Sequence, residues 1–123
     1  MTINDYRNWL KLYGQAWEDK DSDRFVFLFT ERANYYWTPF ESPKLGREGI
    51  RSAFENAIST QSQIKFGYDV LTFENNQGIC RWWCKFNRIT TGNLIKLDGI
   101  FICEFEKNNL CKTFREWWHK EGE

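Results

Sequence analysis

The sequence from Leu94 to His119 alternates apolar and polar residues on both sides of a polar break at Lys107–Asn109. Asparagine adopts positive φ angles more readily than most residues, which suits it to tight turns. Alternation with a period of two on both sides of such a turn predicts a long β-hairpin. The apolar positions of its two arms are Ile95, Leu97, Phe101, Cys103, Phe105, Leu110, Phe114 and Trp118.

The first sixty residues show helical spacing instead. Apolar residues recur every three to four positions between Ile3 and Lys20, which predicts an amphipathic helix. Gly14 lies within it, and we expect it to admit a closely packed neighbour. The polar run Asp19–Asp23 interrupts the pattern and offers an N-cap for a short second helix. Its buried side is predicted to be Phe25, Leu28 and Phe29, and a third helix is predicted to bury Ile50, Ala53, Phe54, Ala57 and Ile58.

The strands follow mostly after the helices. A short aromatic strand is predicted over Ala33–Trp37, and two longer ones over Ile64–Phe73 and Ile79–Ile89. The alternation slips between Val70 and Leu71, which predicts a β-bulge. The order of elements is helix, helix, strand, helix and four antiparallel strands, which is typical of one α+β domain spanning residues 1–123. A bent sheet packed on helices leaves an open end, where a pocket can form.

Composition excludes some functions and favours others. Seventeen basic and seventeen acidic residues cancel, so nothing indicates nucleic-acid binding. Seven Trp, five Tyr and eleven Phe are many for 123 residues. Aromatic side chains build cores, apolar pockets and subunit interfaces, and core packing is the commonest role for any one of them.

The cysteines and the chain start indicate an intracellular protein without a metal. The four cysteines form no Cys-x-x-Cys motif and there is a single histidine, so we expect no zinc site and no cofactor. The segment MTINDYRNWL has no basic stretch followed by an apolar run, and no apolar run is long enough to span a bilayer. Reduced thiols and a cytoplasmic location are therefore expected.

Two stretches resemble a known superfamily. Tyr13–Phe40 is similar to the opening of the SnoaL-like, nuclear-transport-factor-2-like superfamily, and Leu97–His119 to the closing hairpin of a bacterial subgroup of it. The shared signals are Ala-Trp-x-x-x-Asp, Leu-Phe-Thr-x-x-Ala, Pro-Phe followed by Gly-x-x-x-Ile, and Phe-Arg-Glu-Trp-Trp-His. The resemblance implies a cone-shaped, curved antiparallel or mixed sheet wrapped on three N-terminal helices. The superfamily includes isomerases, cyclases, dehydratases, epoxide hydrolases and non-catalytic domains, so the fold does not settle the function.

The ketosteroid isomerases of that superfamily provide one comparison. The resemblance puts their catalytic tyrosine at Tyr13. It puts their general base near Trp37 or Thr38 and their second acid near Phe101, and none of these three side chains exchanges a proton near neutral pH. The mechanism of those isomerases is therefore not carried over to this chain.

Glu116 is the leading candidate for acid–base chemistry. If the turn is centred on Asn108 and Asn109, the hairpin pairs Phe101 with Glu116 and Asp98 with His119. The face carrying the apolar residues points inward, so Glu116 does too. An inward carboxylate must be paired, or its pKa rises toward the range of a general acid or base. Glu116 is therefore either a member of a structural ion pair or an acid–base group. If Glu116 forms an ion pair, Arg81 is its expected partner.

The remaining expectations concern the surroundings of Glu116. Tyr13 is a candidate catalytic hydroxyl, and Asp98 with His119 is either a dyad or a solvated pair. The other face of the hairpin is expected to form a homodimer. Candidate cavity-lining residues are Trp17, Trp37, Arg81, Phe101 and Trp118, and the candidate dimer residues are Ile100, Ile102, Arg115 and Trp117.

Two functions fit these expectations. The first is binding of a small apolar molecule in the cone, with isomerase-, cyclase- or hydrolase-type acid–base chemistry. The second is a non-enzymatic binding or dimerisation module. An open cavity that contains Glu116 favours the first function, and a core filled by side chains favours the second. The sequence leaves open the ligand and whether any reaction occurs.

Overall fold

The computed structural model describes all residues 1–123 and contains three helices and six strands. The elements are α1 (Ile3–Glu18), α2 (Ser22–Val26), β1 (Phe29–Tyr36), β2 (Lys44–Leu45), α3 (Gly46–Ile58), β3 (Gln61–Glu74), β4 (Gln77–Arg88), β5 (Leu94–Phe105) and β6 (Cys111–Glu121). The strands form one sheet in the order β2-β1-β6-β5-β4-β3. Only β1 and β6 run parallel, so the sheet is mixed. The predicted α+β class is confirmed.

Local sequence explains where the first two helices begin. Thr2 and Asp5 form a capping box on α1, with the Asp5 N–H donating to the Thr2 hydroxyl at 3.1 Å. The side chain of Asp21 accepts from the Arg24 N–H at 3.1 Å and caps α2. The prediction for α2 was too long at its end, because Phe29 already pairs with Cys111 on β6 and belongs to β1.

The hairpin of β5 and β6 has the predicted register. Phe101 lies opposite Glu116, and Asp98 lies opposite His119. The predicted bulge in β3 is present as a register shift between Val70 and Thr72. Since side chains alternate between the two faces of a strand, this register turns Glu116 toward the helices.

Helix α1 packs on the inner face of the sheet. Tyr13 stacks on Phe114 at 5.5 Å between ring centroids and meets Phe101 edge-on at 5.3 Å. A Cβ atom at Gly14 would lie only 2.5 Å from a ring carbon of Phe66, so glycine there permits the contact between α1 and β3. No helix is both long and apolar enough to cross a membrane.

Candidate functional site

A cavity of about 400 Å³ opens between the inner face of the sheet and helix α3. Small side chains on α3, Ala53 and Ala57, leave this space unfilled where larger residues would close it. Its wall is mostly apolar. The lining residues are Tyr13, Trp17, Phe25, Tyr35, Trp37, Glu41, Lys44, Ala53, Phe54, Asn56, Ala57, Ile58, Gln61, Trp82, Phe86, Arg88, Leu97, Glu116, Trp118 and Lys120.

Strand β6 runs from the core to the cavity mouth along its inward-facing row. Phe114 is fully buried, Glu116 is 6% exposed, and Trp118 is 37% exposed. Lys120 continues the row into solvent. Glu116 therefore lies at the inner end of the cavity, between core packing and open space.

A chain of three buried side chains ends at Glu116. The hydroxyl of Tyr35 donates to Oε1 of Glu116 at 3.5 Å, and the Tyr13 and Tyr35 hydroxyl oxygens are 2.9 Å apart. A hydroxyl carries a single proton. When Tyr35 donates to Glu116, Tyr13 therefore donates to Tyr35. Three different elements, α1, β1 and β6, supply this chain.

Burial raises the pKa of Glu116 from 4.5 to about 8, and the hydrogen bond from Tyr35 only partly opposes this effect. No Lys, Arg or His forms an ion pair with Glu116. Burial also raises the pKa of Tyr13 and of Tyr35, and the negative charge of Glu116 adds to that shift. At pH 7 the three side chains are therefore mostly neutral, and Glu116 is mainly a carboxylic acid.

Two further polar groups belong to the cavity wall. The amide oxygen of Gln61 accepts from Nε1 of Trp17 at 2.8 Å, which orients the tryptophan ring. The indole N–H of Trp82 is buried and has no hydrogen-bond partner in the protein. An unpaired buried donor costs free energy, so this N–H lowers the stability of the wall.

The predicted site residues divide into two groups. Five of them border the cavity: Tyr13, Trp17, Trp37, Glu116 and Trp118. Phe101 does not, because it is fully buried beneath the wall and stacks on Trp82 at 4.8 Å.

The role predicted for Arg81 was wrong. Its guanidinium lies on the outer face of the sheet, where Nε donates to Oδ1 of Asp98 at 3.1 Å. Trp82, its neighbour on β4, faces inward, so alternation along the strand turns Arg81 outward. Arg81 therefore neither lines the cavity nor pairs with Glu116.

Asp98 and His119 do not form a hydrogen-bonded dyad. They lie opposite each other on β5 and β6, but Asp98 is held by Arg81 and no hydrogen bond joins it to His119. The hydrogen bond from Arg81 lowers the pKa of Asp98. This cluster therefore behaves as a solvated ion pair on the outer face.

Sequence reasoning missed Tyr35, which lies between Tyr13 and Glu116 in the series of hydrogen-bonded side chains. A signal for it was present in the sequence, because Ala33, Tyr35 and Trp37 alternate with polar or outward residues and Trp37 was itself a candidate. The polar residues of the cavity mouth, Arg88 and Lys120, were missed as well. They follow in the inward-facing rows of β4 and β6, whose apolar members were recognised.

The other reactive side chains do not form a second centre. No group of three or more His, Cys, Asp or Glu lies close enough together to hold a metal ion. All four cysteines are free and buried. Burial raises the pKa of Cys84 to about 12, so this thiol stays protonated and weakly nucleophilic.

Comparison with known proteins places this geometry among related folds. The model of the SnoaL-like domain matches residues 10–112. No curated protein matches the sequence. A Bacillus subtilis protein described as a candidate isomerase is 16% identical, with 97% of this chain and 90% of that chain covered and a TM-score of 0.82.

Two further solved structures are similar. SalBIII, an epoxide hydrolase/cyclase-like enzyme in pyran ring formation in the polyether salinomycin, is 14% identical with a TM-score of 0.80, covering 92% of this chain and 89% of its own. The RV0760c protein of Mycobacterium tuberculosis is 10% identical with a TM-score of 0.83, covering 100% of this chain and 99% of its own. At these identities the likeness establishes the fold alone.

Proposed function

Because this chain belongs to the SnoaL-like domain family and has the nuclear-transport-factor-2-like fold, we propose that its cavity binds a small apolar molecule and performs acid–base chemistry on it. The observation that carries the proposal is an open, mostly apolar cavity with a buried, uncharged carboxyl group at its inner end. Fold likeness alone would not support it, since related folds serve unrelated functions.

The size and lining of the cavity support ligand binding. About 400 Å³ is within the range of small-molecule sites, and the walls are rich in aromatic rings. Trp17, Trp37 and Trp118 present large flat surfaces to the space, which favours a ring-bearing ligand. A pure dimerisation module would gain stability from filling this space with side chains.

The chain of hydroxyls supports a general-acid role for Glu116. As a neutral acid it can donate its proton to an oxygen of the bound molecule, such as a carbonyl, hydroxyl or epoxide oxygen. The carboxylate that remains then accepts the hydrogen bond from Tyr35, which in turn accepts from Tyr13. Both hydrogen bonds strengthen as charge develops on Glu116, so they stabilise the charged state of the step. A substrate proton returning to Glu116 restores the acid.

Ligand binding can be tested by filling the cavity. We expect some one- to three-ring apolar compounds in a thermal-shift library to raise the melting temperature of the protein, since a ligand bound only to the folded state stabilises it. Ala57→Phe places a ring in the cavity and is expected to abolish these shifts. Leu71→Phe, at an exposed position on β3, is the control and should leave them intact. Shifts that persist in Ala57→Phe would place binding outside the cavity.

The acid–base role has a separate readout. Glu116→Gln keeps the shape of the cavity, so compounds found by thermal shift are expected to bind it. For a compound that the protein converts, kcat is expected to fall by about 100-fold or more. Unchanged turnover would remove Glu116 as the proton carrier and leave a binding protein.

We further propose a homodimer through the outer face of the sheet. Trp117 is 43% exposed there, and Ile100 and Ile102 are only half-buried. Arg115 stacks on Tyr36, with the guanidinium carbon 4.0 Å from the ring centroid. Tryptophan, isoleucine and arginine on one open sheet face are the residue types that interfaces use most.

The dimer can be tested by placing a charge at its centre. Trp117→Lys is expected to convert the dimer to a monomer, as measured by light scattering during size-exclusion chromatography. Phe40→Lys is the matched control, because Phe40 is 94% exposed and lies in the loop between β1 and β2. A monomer in the parent protein, or a dimer in Trp117→Lys, would contradict the proposed interface.

A further inference from the structure

The inward-facing rows of β4 and β6 both end in a cation at the mouth of the cavity. On β4, Phe86 is buried and Arg88 follows it in the inward-facing row. On β6, Trp118 is followed by Lys120 in the same way. The cavity therefore has an apolar body, an uncharged acid at its inner end and positive charge at its entrance.

Arg88 is already arranged as a receptor for a carboxylate. Its Nη2 donates to Oε1 of Glu123 at 2.6 Å and its Nε donates to Oε2 of the same carboxylate at 3.4 Å. The remaining Nη1 donates to the hydroxyl of Thr60 at 2.8 Å, and the guanidinium stacks over Phe86 at 5.0 Å. The side chain is only 20% exposed. A guanidinium fixed in this way loses little entropy when it binds a planar carboxylate in two-pronged fashion.

The carboxylate now on Arg88 is held by few other contacts. Besides Arg88, Glu123 meets Lys120 at 3.6 Å, and Glu123 itself does not line the cavity. Lys44 also lines the cavity, and Glu41 is the acidic lining residue besides Glu116. When Glu123 leaves Arg88, three cations and one anion remain among the residues that line the cavity, since Glu116 is uncharged.

We propose that the molecule bound in this cavity carries a carboxylate on its apolar body, and that this carboxylate displaces Glu123 from Arg88 and Lys120. This inference rests on the proposed function, because it assigns the chemical class of the ligand in the same cavity. The apolar part lies among the tryptophans, and the charged end stays at the mouth, where solvent and the two cations stabilise it. Glu123 acts as an internal competitor that occupies the arginine when the cavity is empty.

The test compares acids with amides of the same shape. The probes are three pairs: cinnamate and cinnamamide, 2-naphthoate and 2-naphthamide, and dodecanoate and dodecanamide. Dissociation constants are measured by tryptophan fluorescence quenching at pH 7.5. We expect the acid of at least one pair to bind about tenfold more tightly than its amide. A hydrogen bond to a charged group contributes more binding free energy than one to a neutral group, and the difference corresponds to about this ratio of dissociation constants.

The structure offers a matched pair of control variants. Arg81 on β4 also holds a carboxylate, that of Asp98, but on the outer face of the sheet. Arg88→Gln is expected to abolish the preference for the acid, whereas Arg81→Gln, with the same change in net charge, should keep it. Glu123→Gln is expected to tighten acid binding several-fold and leave amide binding unchanged, and Asp98→Asn should change neither.

The outcomes separate this inference from the proposed function. If acid and amide bind equally well, the cavity binds apolar molecules but the carboxylate assignment is overturned. If no member of any pair binds, the proposed function fails and the ligand class fails with it. Where Arg88→Gln does not fold, the Glu123→Gln and Asp98→Asn comparison decides. Equal effects of those two substitutions on acid binding would overturn the proposal.

Discussion

Replacing Glu116 with glutamine is expected to make the protein more stable than its parent above pH 7 and to flatten the pH dependence of its stability. The carboxyl ionises near pH 4.5 in the unfolded chain, whereas burial raises its pKa to about 8 in the folded protein. Between those two values the folded state keeps a proton that the unfolded state has released. The free energy of unfolding of the parent therefore falls as pH rises through this window.

The size of the effect follows from the difference between the pKa of Glu116 in the folded and unfolded states. One pKa unit corresponds to about 1.4 kcal/mol, so a rise from 4.5 to about 8 is on the order of 5 kcal/mol between the two ends of the window. Glutamine cannot ionise and accepts the hydrogen bond from Tyr35 through its amide oxygen. Its stability should therefore not decline through this window.

Urea unfolding at pH 5, 7 and 9 measures this difference. Glu121→Gln is the control, because Glu121 lies on the same strand but is exposed to solvent. We expect the control to follow the parent at every pH. Parallel curves for the parent and Glu116→Gln would show that Glu116 ionises with an ordinary pKa, and the general-acid proposal would lose its basis.

The position of Glu116 could be predicted because the hairpin is specified locally. Alternation on both arms and an asparagine-rich turn fix which residues of β5 and β6 lie opposite each other. A shift by one residue would put the inward rows of the two strands on opposite faces, so that either Phe101 and Phe105 on β5 or Phe114 on β6 would turn toward solvent. The large cost of exposing buried aromatic rings is what made the register readable in the sequence.

The partner of Glu116 could not be predicted in the same way. Arg81 is near it in strand order, but the alternation of β4 places Arg81 on the face opposite Trp82 and Phe86, so the expected ion pair did not fit that pattern. Tyr35 reaches Glu116 from β1, which lies beside β6 through a parallel pairing between distant parts of the chain. Such a long-range pairing leaves no short periodic signal.

The cavity itself could not be predicted from the sequence either. Its volume depends on how far α3 stands from the sheet and on small residues such as Ala53 and Ala57, which look like ordinary positions on an apolar helix face. The high aromatic content is compatible with either a pocket or a filled core. Only packing in three dimensions distinguishes those two uses of the same residues.

Tyr35→Phe is expected to change both the titration of Glu116 and the stability of the fold. The hydrogen bond from Tyr35 is what lowers the pKa of Glu116 against the effect of burial, so its loss should move that pKa above the parent value of about 8. The hydroxyl of Tyr13, now 2.9 Å from that of Tyr35, is left buried without its partner. The free energy of unfolding is expected to fall by about 1–3 kcal/mol below pH 7, where Glu116 is neutral in both proteins.

The pKa can be read from the carboxyl carbon of Glu116 by NMR titration, and stability from urea unfolding at pH 6. Tyr36→Phe is the matched control, because the neighbouring Tyr36 packs on Arg115 on the other face of β1. Tyr13→Phe keeps the bond from Tyr35 to Glu116, so it should lower stability with a smaller change in the pKa. If Tyr35→Phe and Tyr36→Phe titrate alike, Tyr35 does not stabilise the charged form of Glu116. The acid would then release its proton without help from the two tyrosines, and only burial would set its pKa.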